Sequence, residues 1–226
     1  RIAFQSYSLA VVSGNMAPVI SQGNQSYVTL LEDGQLTLGN FPDLNATDPD
    51  GDPLDWELAS EMGPSDGTAS VEGHGFKPST LTYTPHPDFN GTDSFALRVS
   101  DGDLSDMITI NVTVSGLDDA PVITQGAGPL SVMIPEDDNL SAWSPPTLSA
   151  TDIDTPDSTL VWSVSSAALN GTAIVSGVAA KPTIFTYVPN EDYHGLDNFE
   201  IQVSDGDLID TVTVSIAVSP ANDPPE

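Results

Sequence analysis

Two stretches of this chain repeat each other about 100 residues apart, and that repetition limits the possible folds more than any single motif does. Ala17-Pro18-Val19-Ile20 returns as Ala120-Pro121-Val122-Ile123, and Ala46-Thr47-Asp48-Pro49-Asp50 returns as Ala150-Thr151-Asp152-Ile153-Asp154. Trp56 is answered by Trp162, Tyr83 by Tyr187, and Ser100-Asp101-Gly102-Asp103-Leu104 by Ser204-Asp205-Gly206-Asp207-Leu208. A period of this length is too long for a solenoid unit and suits a self-contained domain. Two copies of one domain therefore stand in tandem.

Within each copy the apolar residues alternate with a period of two. Phe95, Leu97 and Val99 are separated by Ala96 and Arg98, and Ile108, Ile110, Val112 and Val114 by Thr109, Asn111 and Thr113. This is the pattern of strands with one buried face. Breakers such as Asp50-Gly51-Asp52-Pro53, Gly63-Pro64, Asn90-Gly91 and Asp101-Gly102 fall at the spacing of a β-sandwich. No window has sustained helical periodicity. The expected fold is all-β: two tandem Greek-key, Ig-like sandwiches of about seven strands each, with Trp56 and Trp162 on a middle strand in the core.

The expected boundaries are 17–119 for the first domain and 120–223 for the second. Residues 1–16 belong to neither copy, yet Tyr7, Leu9 and Val11 match Ile110, Val112 and Val114 in the last strand of the first domain. They are expected to be the last strand of a truncated upstream domain or an N-terminal donor strand. Asn222-Asp223-Pro224-Pro225 resembles the junction at Asp118-Asp119-Ala120-Pro121, so a further copy is expected downstream, as in a longer array.

Composition narrows the function. The chain holds 33 acidic residues against 4 basic ones, a formal charge of −29, so nucleic acid and anionic membrane surfaces are not expected partners. It has no cysteine, which removes thiolate chemistry and disulfide scaffolding. No apolar stretch approaches the roughly 20 residues that span a bilayer. His74, His86 and His194 do not recur between the copies, and the aspartates sit in Gly/Pro turns and not in an apolar cleft, so no enzyme is expected.

The acids are concentrated at repeated places: Glu32-Asp33 and Glu136-Asp137 early in each copy, Asp48/Asp50 and Asp152/Asp154 after an early strand, Asp101 and Asp205 after the second-last strand, and Asp118-Asp119 at the junction. In a sandwich entered at one pole, a loop after an even number of strands returns to that pole. Asp152, Asp154 and Asp205 should then converge on Asp118 and Asp119. Such a group repels itself unless a hard divalent cation compensates, and Ca²⁺, taking 6–8 oxygens in flexible geometry, fits better than Mg²⁺. An EF-hand is excluded, because the loop opened by Asp48 has Pro53 where glycine is needed and Ala59 where the bidentate glutamate is needed.

At these residues the chain resembles the cadherin family, and more closely the cadherin-like tandem repeats of large bacterial surface proteins. The resemblance rests on Asp118-Asp119-Ala120-Pro121-Val122, Glu32-Asp33, Ala46 to Asp52, Tyr83-Thr84-Pro85, Phe89-Asn90-Gly91-Thr92-Asp93-Ser94-Phe95 and Val99-Ser100-Asp101-Gly102. It implies Ca²⁺ held between consecutive domains: Glu32 as the base glutamate of the preceding domain, Asp118 and Asp119 as linker ligands, Asp152 and Asp154 as the Asp-x-Asp pair, and Asp205 as the late aspartate. Departures from the family are Gly116, where cadherins carry an aspartate, and the absent Asp-Arg-Glu triplet, for which Asp88 or Asp93 could stand in. At the first junction Asn15-Met16 replaces the acidic pair, so Asp48, Asp50 and Asp101 form a partial site, as does Glu136 at the other end.

The expected function is a calcium-rigidified adhesion or spacer module, rod-like and extracellular, whose partners are neighbouring repeats of the same protein. The alternatives are a filament subunit assembled by strand addition or homotypic association, prompted by residues 4–12, and a carbohydrate-binding module recognising surface polysaccharide, for which Trp143 is the stacking candidate.

Overall fold

A computed structural model describes residues 14–136 and 144–222, and the candidate strand 4–12 and Trp143 lie outside the described residues. The chain divides into two compact units, Arg1–Leu117 and Asp118–Glu226.

The first unit runs β1 (Val19–Ile20), β2 (Gln25–Leu31), β3 (Leu36–Thr37), β4 (Ala46–Thr47), β5 (Asp55–Leu58), β6 (Gly67–His74), β7 (Thr80–Pro85), β8 (Gly91–Ser100) and β9 (Ser105–Ser115). The second repeats it as β10 (Val122–Ile123), β11 (Leu130–Pro135), β12 (Ala150–Thr151), β13 (Val161–Ser166), β14 (Gly171–Val178), β15 (Ile184–Pro189), β16 (Gly195–Ser204) and β17 (Ile209–Ser219). Helix is confined to three short 3-10 turns among the described residues.

In the first unit the order is β2-β9-β8-β5-β6-β7-β3, with β1 pairing β4 separately. Strand β6 pairs β7 from Gly67 to Glu72 and β5 only through Gly73 and His74, and there the sheet folds over into two layers. Gly73 permits the fold, since a Cβ at that position would lie 2.6 Å from the Pro78 Cα. The chain enters one layer as β1 and crosses to the other as β2, parallel to β9. The turn between them places Gly23 at φ 78°, a left-handed conformation that glycine adopts without strain. The second unit makes the same crossing at Gly126, with φ 79°. Both are Greek-key sandwiches.

The alternation fills the core as expected. Phe95, Leu97, Val99, Ile108, Ile110 and Val112 pack against Trp56, Leu81 and Tyr83, and the second unit repeats the set with Phe199, Ile201, Val203, Val212, Val214, Trp162 and Tyr187. Trp56 and Trp162 are 4% and 1% exposed, and each indole N–H donates to a backbone carbonyl, Gly75 at 3.1 Å and Ala179 at 2.9 Å. Burying side chains of this size contributes about 1.5–3 kcal/mol each. Tyr83 stacks on Phe95 at 5.6 Å, and Tyr187 on Phe199 at 5.8 Å.

Candidate functional site

In each unit the aspartate loops gather at the pole where the chain enters. In the first, Asp48 Oδ1 accepts the backbone N–H groups of Asp50 at 2.8 Å and Asp52 at 3.1 Å, which winds the loop so that carboxylate oxygens of Asp48, Asp50 and Asp52 lie within 4.8 Å of one another. Asp101 Oδ1 likewise holds the β8–β9 turn through the N–H groups of Asp103 and Leu104. The segment before β1 closes on both loops: Met16 N–H donates to Asp50 Oδ2 at 2.8 Å and Asn15 Nδ2 to Asp101 Oδ2 at 3.2 Å.

The second unit repeats the pole with Asp118 and Asp119 in place of Asn15 and Met16. Asp152 Oδ1 accepts from the N–H groups of Asp154 and Thr155, and Asp205 Oδ1 from those of Asp207 and Leu208. Asp119 N–H donates to Asp154 Oδ2 at 2.9 Å, as Met16 does to Asp50. Asp118 occupies the place of Asn15. Burial, and then the carboxylates of Asp205, Asp207, Asp154 and Asp152, push its carboxyl above the ordinary range. The five aspartates expected to converge do so.

The loop turns leave a consistent remainder. Asp48, Asp152 and Asp205 each use Oδ1 to hold their loop, while Oδ2 is hidden from solvent and accepts no hydrogen bond. A buried carboxylate oxygen without a donor is costly, so each points to a missing positive charge. Lys77 and Arg98 of the first domain pair with Asp43 and Glu57, and Lys181 of the second forms no ion pair with Asp152 or Asp205.

The two glutamates sit at the opposite pole of their own units. Glu32 follows β2 directly, is 2% exposed, and takes the Leu117 N–H on Oε1. Glu136 follows β11 directly, is 5% exposed, takes the Ala221 N–H at 2.6 Å, and lies 3.3 Å from His194 Nδ1. Neither joins the aspartate loops of its own unit. Leu117, tied by Glu32, is followed in the chain by Asp118.

A sequence profile of the bacterial Ig domain matches residues 15–113 and again 118–217. The chain belongs to the bacterial Ig domain family. No curated protein matches it. Among solved structures it is similar to human CDH23 EC21-23, with 14% identity, a TM-score of 0.52, and coverage of 90% of this chain and 70% of that one. It is similar also to Drosophila N-cadherin EC1-4, with 15% identity, a TM-score of 0.51, and coverage of 92% and 50%. An endo-fucoidan hydrolase from glycoside hydrolase family 107 aligns at 20% identity with a TM-score of 0.38, and the chain, covered over 91%, spans 29% of that protein. The cadherin likeness is one of fold, and it agrees with the resemblance read from the acidic turns.

Each of the two bacterial Ig domains also carries a buried aspartate, Asp93 in the first and Asp197 in the second. Asp93 cannot stand in for a missing ligand triplet. It lies inside the sandwich, where it accepts from the Tyr83 hydroxyl at 2.9 Å and from the N–H groups of Ser65, Asp66 and Ser94. Burial opposes its charge, but the Ser65, Ser94, Tyr83 and Asp66 donors outweigh it and hold the carboxyl below its ordinary value. Asp197 repeats the arrangement with Tyr187, Leu169, Asn170 and Asn198. The signal was present in the sequence: Asp93 and Asp197 are in phase with the inward residues Phe95 and Phe199. Asp88 is an exposed turn residue at φ 58° whose N–H meets Asp33 Oδ1 at 3.5 Å. Asp106 and Asp210, absent from the motif reading, take the N–H groups of Ile20 and Ile123, each at 2.8 Å, where the chain begins its crossing between layers.

Proposed function

We propose that these tandem bacterial Ig domains are a non-enzymatic spacer or adhesion segment of a larger extracellular protein, stiffened by Ca²⁺ at the joint between them. The observation that carries this reading is the pair of solvent-hidden, donor-free oxygens, Asp152 Oδ2 and Asp205 Oδ2, in the domain whose Asp118 carboxyl is pushed up by its acidic neighbours. The donor set is oxygen-only, without sulfur or imidazole, and this chemistry suits a hard cation. Asp118, Asp119, Asp152, Asp154 and Asp205 would hold it, with Glu32 contributing from the first domain through its tie to Leu117. When bound, calcium supplies the positive charge that the two hidden oxygens lack. The protein's own part is to pre-wind both loops through the Oδ1 hydrogen bonds, so that ordering is complete before binding.

The pole of the first domain is the internal comparison. There Asn15 places an amide where Asp118 places a carboxylate, so Asp48, Asp50 and Asp101 form a weaker site. Glu136, held by Ala221 and His194, would serve a following domain in the way Glu32 serves this one. Calorimetric titration of the chelated chain with Ca²⁺ tests the assignment. Binding in the range of about 10⁻⁴–10⁻³ M or tighter is expected, reduced to the weaker site in Asp205→Asn and kept at the stronger one in Asp101→Asn. Absence of binding, or equal binding by the Asp205→Asn chain, overturns it.

A further inference from the structure

The two domains share a core but not a surface. In the second domain the outward residues Met133, Ala217 and Leu196 form a row across β11, β17 and β16. In the first domain the same register is Thr29, Thr113 and Thr92. Leu169, whose N–H donates to Asp197, replaces Ser65, whose N–H donates to Asp93. Four hydroxyl-bearing positions have thus become apolar together. Leu169, Leu196 and Met133 are 84%, 80% and 77% exposed, the most exposed large apolar side chains among the described residues. Nothing in the second domain's fold requires them, since the first domain builds the same sandwich without them.

We infer that this face is a contact surface for a second copy of the chain, packed through its own second domain. Charge selects that occupant. The chain carries −29, yet the apolar row and the adjoining row of Ser131, Ser215 and Asn198 hold no charge, and Glu200 is one row further along β16. A basic partner would be met by carboxylates at its contact, whereas a second acidic chain needs a place where none face each other. Shape agrees. Large, small, large across the three strands lets Leu196 of one copy sit over the partner's Ala217, and a two-fold axis repeats the contact. The patch is small against the roughly 1,200 Å² of a stable interface, so the association is weak and gains strength when arrays align several copies.

Sedimentation velocity of the whole chain, in chelator so that calcium plays no part, tests the inference. At about 0.5 M NaCl, where the Debye length is roughly 4 Å, charge repulsion is screened. The sedimentation coefficient is expected to rise with concentration between about 10 µM and 1 mM. Met133→Thr with Leu196→Thr, which installs the first domain's residues on the surface, should abolish the rise and leave the unfolding temperature unchanged. Ile174→Ser, on the outward face of β14, should leave the rise intact. A monomer at every concentration, a rise that survives the double substitution, or one lost equally in Ile174→Ser overturns the inference.

Discussion

Asn15 Nδ2 donates to Asp101 Oδ2 at 3.2 Å, a bond that Asp118, at the matching place in the second domain, cannot make. At the matching place in the second domain Asp118 faces Asp205 as a carboxylate, and its carboxyl is pushed up. The first pole thus meets Asp101 with an amide donor, where the second adds a further carboxylate. Asp118→Asn should give the second pole the amide that the first has at this place. Calcium affinity measured by calorimetry is expected to fall roughly tenfold or more, because affinity follows ligand charge count, while the unfolding temperature in chelator rises.

The same carboxyl sets a pH dependence. Its folded value lies above the ordinary 3.8, so between the two values the folded domain binds a proton that the unfolded chain does not. Stability in chelator should therefore increase as pH falls through that window. Thermal unfolding against pH should bring wild type and Asp118→Asn together on the acid side and apart at neutrality.

Asp93 titrates in the opposite sense. Its folded value lies below the ordinary 3.8, so its contribution is complete above 3.8 and is lost as pH falls through the lower folded value. Asp93→Ala leaves the Tyr83 hydroxyl and three backbone N–H groups without their acceptor and should cost about 3 kcal/mol in urea unfolding. Asp88→Ala, in an exposed turn, should cost little.

Gly171 tests the tyrosine side of the matching Asp197–Tyr187 pair in the second domain. A Cβ there would stand 2.4 Å from the Tyr187 Oη, so Gly171→Ala must push the ring off Asp197. A loss of about 1–3 kcal/mol is expected, with little change in calcium affinity measured by calorimetry.

Much of this was legible in the sequence, for local reasons. Period-two alternation made Phe95, Leu97 and Val99 a buried strand, and the repeated Asp-x-Asp turns located the entry poles. The buried role of Asp93 was obscured because Asn90-Gly91-Thr92-Asp93 reads as turn chemistry, and only its phase with Phe95 places it inside. The hidden state of Asp152 Oδ2 and Asp205 Oδ2 was not legible, since it depends on how two loops distant in sequence pack at one pole. Nor was the apolar row, because Met133, Leu196 and Ala217 come from three separate strands and become neighbours only through register.

The central claim is that calcium stiffens the joint at Asp118-Asp119, and small-angle X-ray scattering of the whole chain reads this directly. On adding millimolar Ca²⁺ to the chelated protein the radius of gyration should rise and the distance distribution lengthen, with neither change in Asp205→Asn. A radius of gyration that falls or stays constant in the wild-type chain would contradict the account.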